Sequence, residues 1–274
     1  MKRILTALVL IPVVIGMVFW APFWLFTLGC CAVALLALWE YLELSDAMGA
    51  KTPRISTCML AVLLFVCVFR FPDLLAPALF AAALLLLTIG VFRSPLDRLL
   101  PDTASAYFGL IYVGMSMATL PLLFERADGP SLLLFLLLAV WSGDIAALYI
   151  GKRFGRHKMA PKLSPGKTWE GAAASLAASA LVAVFLMWLA GFLTNHSVFG
   201  LSYAGPWFEW IILAIVLNAA AQMGDLLESG LKRGAGVKDS GKLLPGHGGV
   251  LDRIDALLLA ASLLWFIEIA QQYF

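Results

Sequence analysis

The 274 residues are 62% hydrophobic and 13% charged, with a formal net charge of +2 and a mean hydropathy of +0.94. A soluble domain carries about 25% charged residues, and half that supply cannot make a water-facing surface. The small net charge says little by itself, and no nucleic acid is expected among the partners.

The apolar residues fall in long runs, and about 20 such residues span the hydrocarbon core of a bilayer. Nine spans are predicted, over 4–20, 23–44, 56–72, 74–92, 105–124, 131–151, 170–193, 207–228 and 250–272. The first follows Met1-Lys2-Arg3, but Trp20-Ala21-Pro22-Phe23 lacks a small-x-small cleavage pattern, so it reads as a signal-anchor helix. Cys30, Cys31, Cys58 and Cys67 lie inside spans without metal-ligand spacing and read as packing residues. Glu40, Glu43 and Asp46, near one end of the second span, read as an interfacial polar collar. Counting the N-terminus and every second loop as one side places 17 of the 19 Lys and Arg there, leaving Arg70 and Arg126 opposite. The positive-inside rule makes that side cytoplasmic. The fold expected is an all-α integral membrane protein of about nine transmembrane helices, N-terminus cytoplasmic, with the active site in a polar funnel at the cytoplasmic side. It is read as a single domain over 1–274. Residues 1–130 are mainly scaffold, and 131–260 hold the chemistry and two basic loops.

That second stretch places charge where membranes disfavour it. Asp144 falls within the sixth run, and Asn218, Gln222, Asp225 and Glu228 fall along the eighth. Steps of four and three put the last four on one helical face, which should point into protein or a water-filled cavity. Interhelical hydrogen bonding explains Asn218 and Gln222, whereas Asp225 and Glu228 suit a functional site better. The first basic loop, 152–169, continues into the next span through Ser164-Pro165-Gly166-Lys167-Thr168-Trp169-Glu170-Gly171. Two hydroxyls, one ammonium and a helix N-terminus there offer an anion site, although the full G-x-x-x-x-G-K-[ST] pattern and its preceding strand are missing. The second loop, from Ser229, carries Lys232, Arg233, Lys238 and Lys242 among seven glycines between 230 and 249. Asp252 and Asp255 follow, three residues apart at the start of the ninth helix. Facing Asp225 and Glu228 they would make an all-oxygen cluster suited to Mg²⁺; the competing reading is a salt-bridged helix cap involving Arg253. His247, between glycines, is placed to reach a phosphate, carry a proton or cap a turn.

The run Ser229, Lys232-Arg233, Lys238-Asp239, Pro245, His247-Gly248-Gly249, Asp252-Arg253, Asp255 resembles the signature of the phosphatidate cytidylyltransferases (CDP-diacylglycerol synthases). Gly224 to Ser229 and Ser164 to Gly171 are similar to family segments too, though many members have Lys in place of Gly166. The likeness is close over 140–260 and rests on length and hydropathy before that. It implies transfer of a cytidylyl group from CTP to phosphatidate, with Mg²⁺, a second cation such as K⁺, and a homodimer in the bacterial inner membrane. On that basis Asp225 and Asp252 are the first metal ligands, with Asp255, Asp144 and Glu228 around them. Lys167, Lys232, Arg233, Lys238, Lys242 and Arg253 hold phosphates; Ser164, Thr168, His247, Gly248 and Gly249 shape the nucleotide pocket. Asp225, Asp252, Asp255, Lys167 and His247 are expected at the reaction itself. A CTP-dependent polyprenol kinase is the alternative enzyme, and an ion- or lipid-coupled transporter built on Asp144 and Asp225 the alternative class. The D-G-x-x-A-R run of CDP-alcohol phosphotransferases and the aspartate-rich motifs of membrane prenyltransferases are both absent.

Overall fold

A computed structural model describes residues 2–196, 200–203, 205–243 and 248–272, with side chains from residue 11 onward. Its helices are α1 Lys2–Trp20, α2 Phe23–Ala47, α3 Arg54–Arg70, α4 Leu75–Arg93, α5 Leu99–Gly109, α6 Ser116–Phe124, α7 Gly129–Phe154, α8 Trp169–Asn195, α9 Trp207–Gly234 and α10 Leu251–Ala270. A 3₁₀ turn, Pro72–Leu74, leads into α4, and a π-helical turn, Leu110–Met115, joins α5 to α6. Every predicted apolar run overlies a helix. Among the described residues, six are long and apolar enough to cross a membrane: Phe23–Ala47, Pro72–Arg93, Leu99–Phe124, Gly129–Phe154, Trp169–Asn195 and Trp207–Gly234. The 17 residues of α3 fall short, and α10 carries Asp252, Arg253, Asp255 and Glu268 within its 20.

Two departures from the sequence reading matter for the site. The stretch read as an open loop contains two antiparallel strands, β1 Lys158–Ala160 and β2 Ser164–Thr168, with Lys158 opposite Thr168 and Ala160 opposite Ser164. Hydropathy had no way to find a hairpin this short and polar. Secondly, α9 runs six residues past its predicted end, so Lys232 and Arg233 stand in its last turn rather than in the loop. Basic side chains there favour the negative end of the helix dipole. The helix closes with Gly236 at φ 72°, its N–H donating to Arg233 O at 3.1 Å and that of Val237 to Lys232 O at 2.9 Å, the pairing of a Schellman stop.

The chain divides into two compact units, Met1–Leu122 with Gly230–Ile254, and Leu123–Ser229 with Asp255–Phe274. In the first, the predicted acidic collar separates into two roles. Glu43 and Asp46 stay partly exposed and pair with Arg54, at 3.3 and 2.8 Å. Glu40 does not belong to a collar: it is 2% exposed and accepts hydrogen bonds from the backbone N–H groups of Val250 and Leu251 at 3.0 and 2.9 Å. Its helix neighbours Ala37 and Leu44 are buried as well, so the α2 face that carries Glu40 is an interior one. Asp102, 1% exposed, accepts from Lys51 N at 2.8 Å and Ser94 Oγ at 2.7 Å, fastening the α2–α3 and α4–α5 connections.

In the second unit α7 and α8 pack along their length, and polar groups join them to α9. Ser175 Oγ donates to Asn218 Oδ1 at 3.0 Å, Gln222 Nε2 donates to Asn218 Oδ1 at 2.8 Å and to Ala172 O at 3.3 Å, and Ser179 Oγ donates to Ala139 O at 2.6 Å. The Ser175–Asn218 and Gln222–Ala172 contacts are the interhelical hydrogen bonds expected of Asn218 and Gln222. Small residues let membrane helices come this close: a Cβ at Gly143 would collide with the Asn218 amide and the Ser175 hydroxyl. Gly143→Ala therefore overpacks the junction, with a loss of about 1–3 kcal/mol read as a lower thermal midpoint in detergent. Gly191→Ala on α8, where a Cβ meets nothing within 4 Å, leaves the midpoint unchanged or raises it.

Candidate functional site

The face predicted on α9 gathers a charged cluster in the second unit. Lys167, near the end of β2, places Nζ 2.7 Å from Asp225 Oδ2. The strand pairing of Ser164–Thr168 fixes where the lysine starts, and the adjoining start of α8 holds that strand end. Thr168 is the N-cap of α8, its hydroxyl accepting from Gly171 N at 3.2 Å. Glu170 accepts from His157 N at 3.2 Å and lies 2.6 Å from His157 Nδ1, tying the start of β1 to the same helix end. Asp144, Lys152, Lys167, Thr168, Gln222 and Asp225 line a cavity of about 350 Å³, within the range of small-molecule sites. Ala147, Leu148, Met159 and Ala172 give it an apolar side. Ser164 is not among its lining residues and sits at the hairpin turn, opposite Ala160.

Carboxylate oxygens of Asp225, Glu228 and Asp255 all lie within 4.8 Å of one another, with Glu228 fully buried. One helical turn on α9 separates Asp225 from Glu228, and α10 brings Asp255 to them. An all-carboxylate set of this kind suits a hard divalent cation such as Mg²⁺, and these residues fit one: three oxygen donors converge without a sulfur or an imidazole.

The fourth member expected there, Asp252, has a set of donors of its own. Asp252, in the first unit, accepts from Lys232 Nζ at 2.6 Å through Oδ1. Through Oδ2 it accepts from Ser240 N at 2.9 Å and Gly249 N at 2.8 Å, with Ser240 Oγ at 3.0 Å. The helix-cap reading thus describes Asp252, with Lys232 as an ion partner. The loop folds back over Asp252 and supplies these donors. Around that loop Arg233, Lys238, Lys242 and Arg253 are exposed, with Arg233 Nη1 donating to Val237 O at 3.3 Å. Gly248, at φ 81°, and the buried Gly249 complete the described part of its return; His247 lies outside the described residues.

Sequence reasoning missed Glu40 and Ser240. For Glu40 a signal existed, since an acid with Ala37 and Leu44 at helical spacing lies on a core stripe. Ser240 carried none, because its partners depend on how the loop folds.

Residues 1–270 match the sequence model of the cytidylyltransferase family. The chain is similar to the phosphatidate cytidylyltransferase of Brucella suis biovar 1 (strain 1330), 37% identical over 267 residues, covering 96% of this chain and 91% of the relative. Against that of Haemophilus influenzae it is 35% identical over 285 residues, covering 94% and 95%. Against that of Pseudomonas aeruginosa it is 34% identical over 281 residues, covering 96% of each.

The geometry of Thr168 makes a prediction independent of any ligand. Thr168→Ala removes the α8 cap and lowers stability by about 0.5–2 kcal/mol, measured by unfolding without nucleotide. Thr168→Ser keeps the hydroxyl and most of that stability.

Proposed function

The chain belongs to the cytidylyltransferase family, and we propose that it transfers the cytidylyl group of CTP to phosphatidate, giving CDP-diacylglycerol and pyrophosphate. The observation that carries this reading is the convergence of Asp225, Glu228 and Asp255 on one point, with Lys167 paired to Asp225, in a chain with six membrane-length helices. In the reaction an oxygen of the phosphatidate phosphate attacks the α-phosphorus of CTP. The bond to the bridging oxygen of the β-phosphate breaks, and pyrophosphate leaves with that electron pair. No covalent enzyme intermediate is required.

Two polyanions have to approach each other, so neutralisation and alignment provide most of the rate enhancement. Asp225, Glu228 and Asp255 would hold Mg²⁺, which when bound supplies Lewis-acid charge stabilisation to phosphate oxygens. Asp144 lines the same cavity as Asp225 and would add a further carboxylate to it. Lys167 would exchange its Asp225 contact for a substrate phosphate. In the other unit, Lys232 would do the same from Asp252, and Lys238, Lys242, Arg233 and Arg253 would offer further positive charge to a triphosphate or a lipid headgroup. Ser164, Thr168, Gly248 and Gly249 would contribute to the nucleotide's surroundings. The positive-inside bias supports a cytoplasmic position for both basic loops, where a soluble nucleotide and a lipid phosphate meet. The family resemblance supports a homodimer in the cell membrane, with a second cation such as K⁺.

The test is transfer from CTP labelled separately at its α- and γ-phosphates, using purified protein in detergent with phosphatidate and Mg²⁺. The α-label is expected in the lipid, with pyrophosphate released in equal amount. Entry of the γ-label into the lipid would instead make the chain a lipid kinase.

A further inference from the structure

Two buried carboxylates in the first unit share one hydroxyl. Ser240 Oγ lies 3.0 Å from Glu40 Oε2 and 3.0 Å from Asp252 Oδ2, while Asp252 N donates to it at 3.3 Å. A serine hydroxyl has a single proton to donate. Asp252 Oδ2 already receives Ser240 N and Gly249 N, and its Oδ1 receives Lys232. Glu40 uses its two oxygens on Val250 N and Leu251 N at the start of α10, where unpaired N–H groups and the helix dipole both favour an anion. Its Oε2 is also the second acceptor facing the serine. Ser240, 5% exposed, is thus the point at which α2, the basic loop and the first turn of α10 are joined.

The position of Ser240 in the sequence gives this junction its consequence. Lys238 and Lys242 flank it by two residues on either side and point outward from the same short stretch. Their reach is limited by side-chain length, so where Ser240 sits decides where both ammonium groups begin. Lys232 is located from the other direction, through Asp252.

We propose that Glu40 and Ser240 are positioning residues for triphosphate recognition: Glu40, with almost no exposure of its own, holds the loop through the Ser240 hydroxyl so that Lys232, Lys238 and Lys242 stand where a nucleoside triphosphate meets them. The inference rests on the reading of those lysines as phosphate ligands.

Ser240→Ala tests it with little risk to folding, because Glu40 keeps its two backbone donors. Its KM for CTP rises about tenfold, the scale of one hydrogen bond to a charged group, while kcat stays within about twofold. The upward shift in unfolding temperature produced by CTP shrinks in parallel, a readout that needs no turnover. Glu40→Gln, if it folds, moves both quantities the same way, and the double variant is no worse than Glu40→Gln alone. Glu43→Gln, on the same helix but paired with Arg54, behaves as the unaltered protein. A Ser240→Ala protein with unchanged KM and unchanged CTP-induced shift overturns the proposal, as does one that loses kcat alone. If Lys238→Ala and Lys242→Ala together also leave the KM for CTP unchanged, the phosphate reading of the loop fails and this proposal fails with it. If those lysine variants raise KM and Ser240→Ala does not, only the positioning role is refuted.

Discussion

A carboxylate carried into a chain this apolar must be met by donors, since an unpaired charge away from water is far more costly than any hydrogen bond can offset. That requirement organises both units. Asp102 collects Lys51 N and Ser94 Oγ and so fastens two connections. Glu40 collects the first N–H groups of α10, and Asp252 collects Lys232, Ser240 and Gly249, folding the glycine-rich loop over itself. In the other unit Asp225 is met by Lys167. Each acid binds segments far apart in sequence, so the polar residues of this protein specify its loops as the apolar ones specify its helices. At Asp225, Glu228 and Asp255 the same rule meets a denser case. Three carboxylates lie within 4.8 Å of one another, and like charges that close repel. A cation of higher charge than one lysine relieves that repulsion more completely.

Two lysine–aspartate pairs, Lys167 with Asp225 and Lys232 with Asp252, share a further property. Each holds a long, flexible ammonium side chain at a fixed place before any substrate arrives. Ordering a lysine costs rotamer entropy, and a lysine already ordered loses less on meeting a phosphate. Under the proposed function, such pairing would prepare both lysines for a reaction between two anions.

Much of this was legible in the sequence, and the division follows from the range of the forces involved. Helix positions were readable because hydropathy is summed over some 20 residues and tolerates errors at either end. The alignment of Asn218, Gln222, Asp225 and Glu228 was readable because helical periodicity is local. The continuation of α9 through Lys232 and Arg233 was not, since hydropathy marks where lipid ends and says nothing of where a helix stops; Gly236, at its close, was the available sign. The strands at Lys158–Ala160 and Ser164–Thr168 were too short and polar to register. The donors that Asp252 takes from Ser240 and Gly249 could not be foreseen, because helical spacing tells which residues share a face but not which loop folds over them. Glu40 is the instructive miss: its charge suggested an interface, whereas its helical neighbours already indicated burial.

The central claim is that Asp225, Glu228 and Asp255 form a divalent-cation site. Mn²⁺ titrated into the purified protein without nucleotide or lipid, followed by loss of the free-ion electron paramagnetic resonance signal, tests this most directly. The account predicts saturable binding that Asp225→Asn and Asp255→Asn each weaken at least about tenfold, no less than loss of an outer partner of a metal site, while Glu43→Gln binds normally. Equal Mn²⁺ binding by the unaltered protein and both aspartate variants would contradict it.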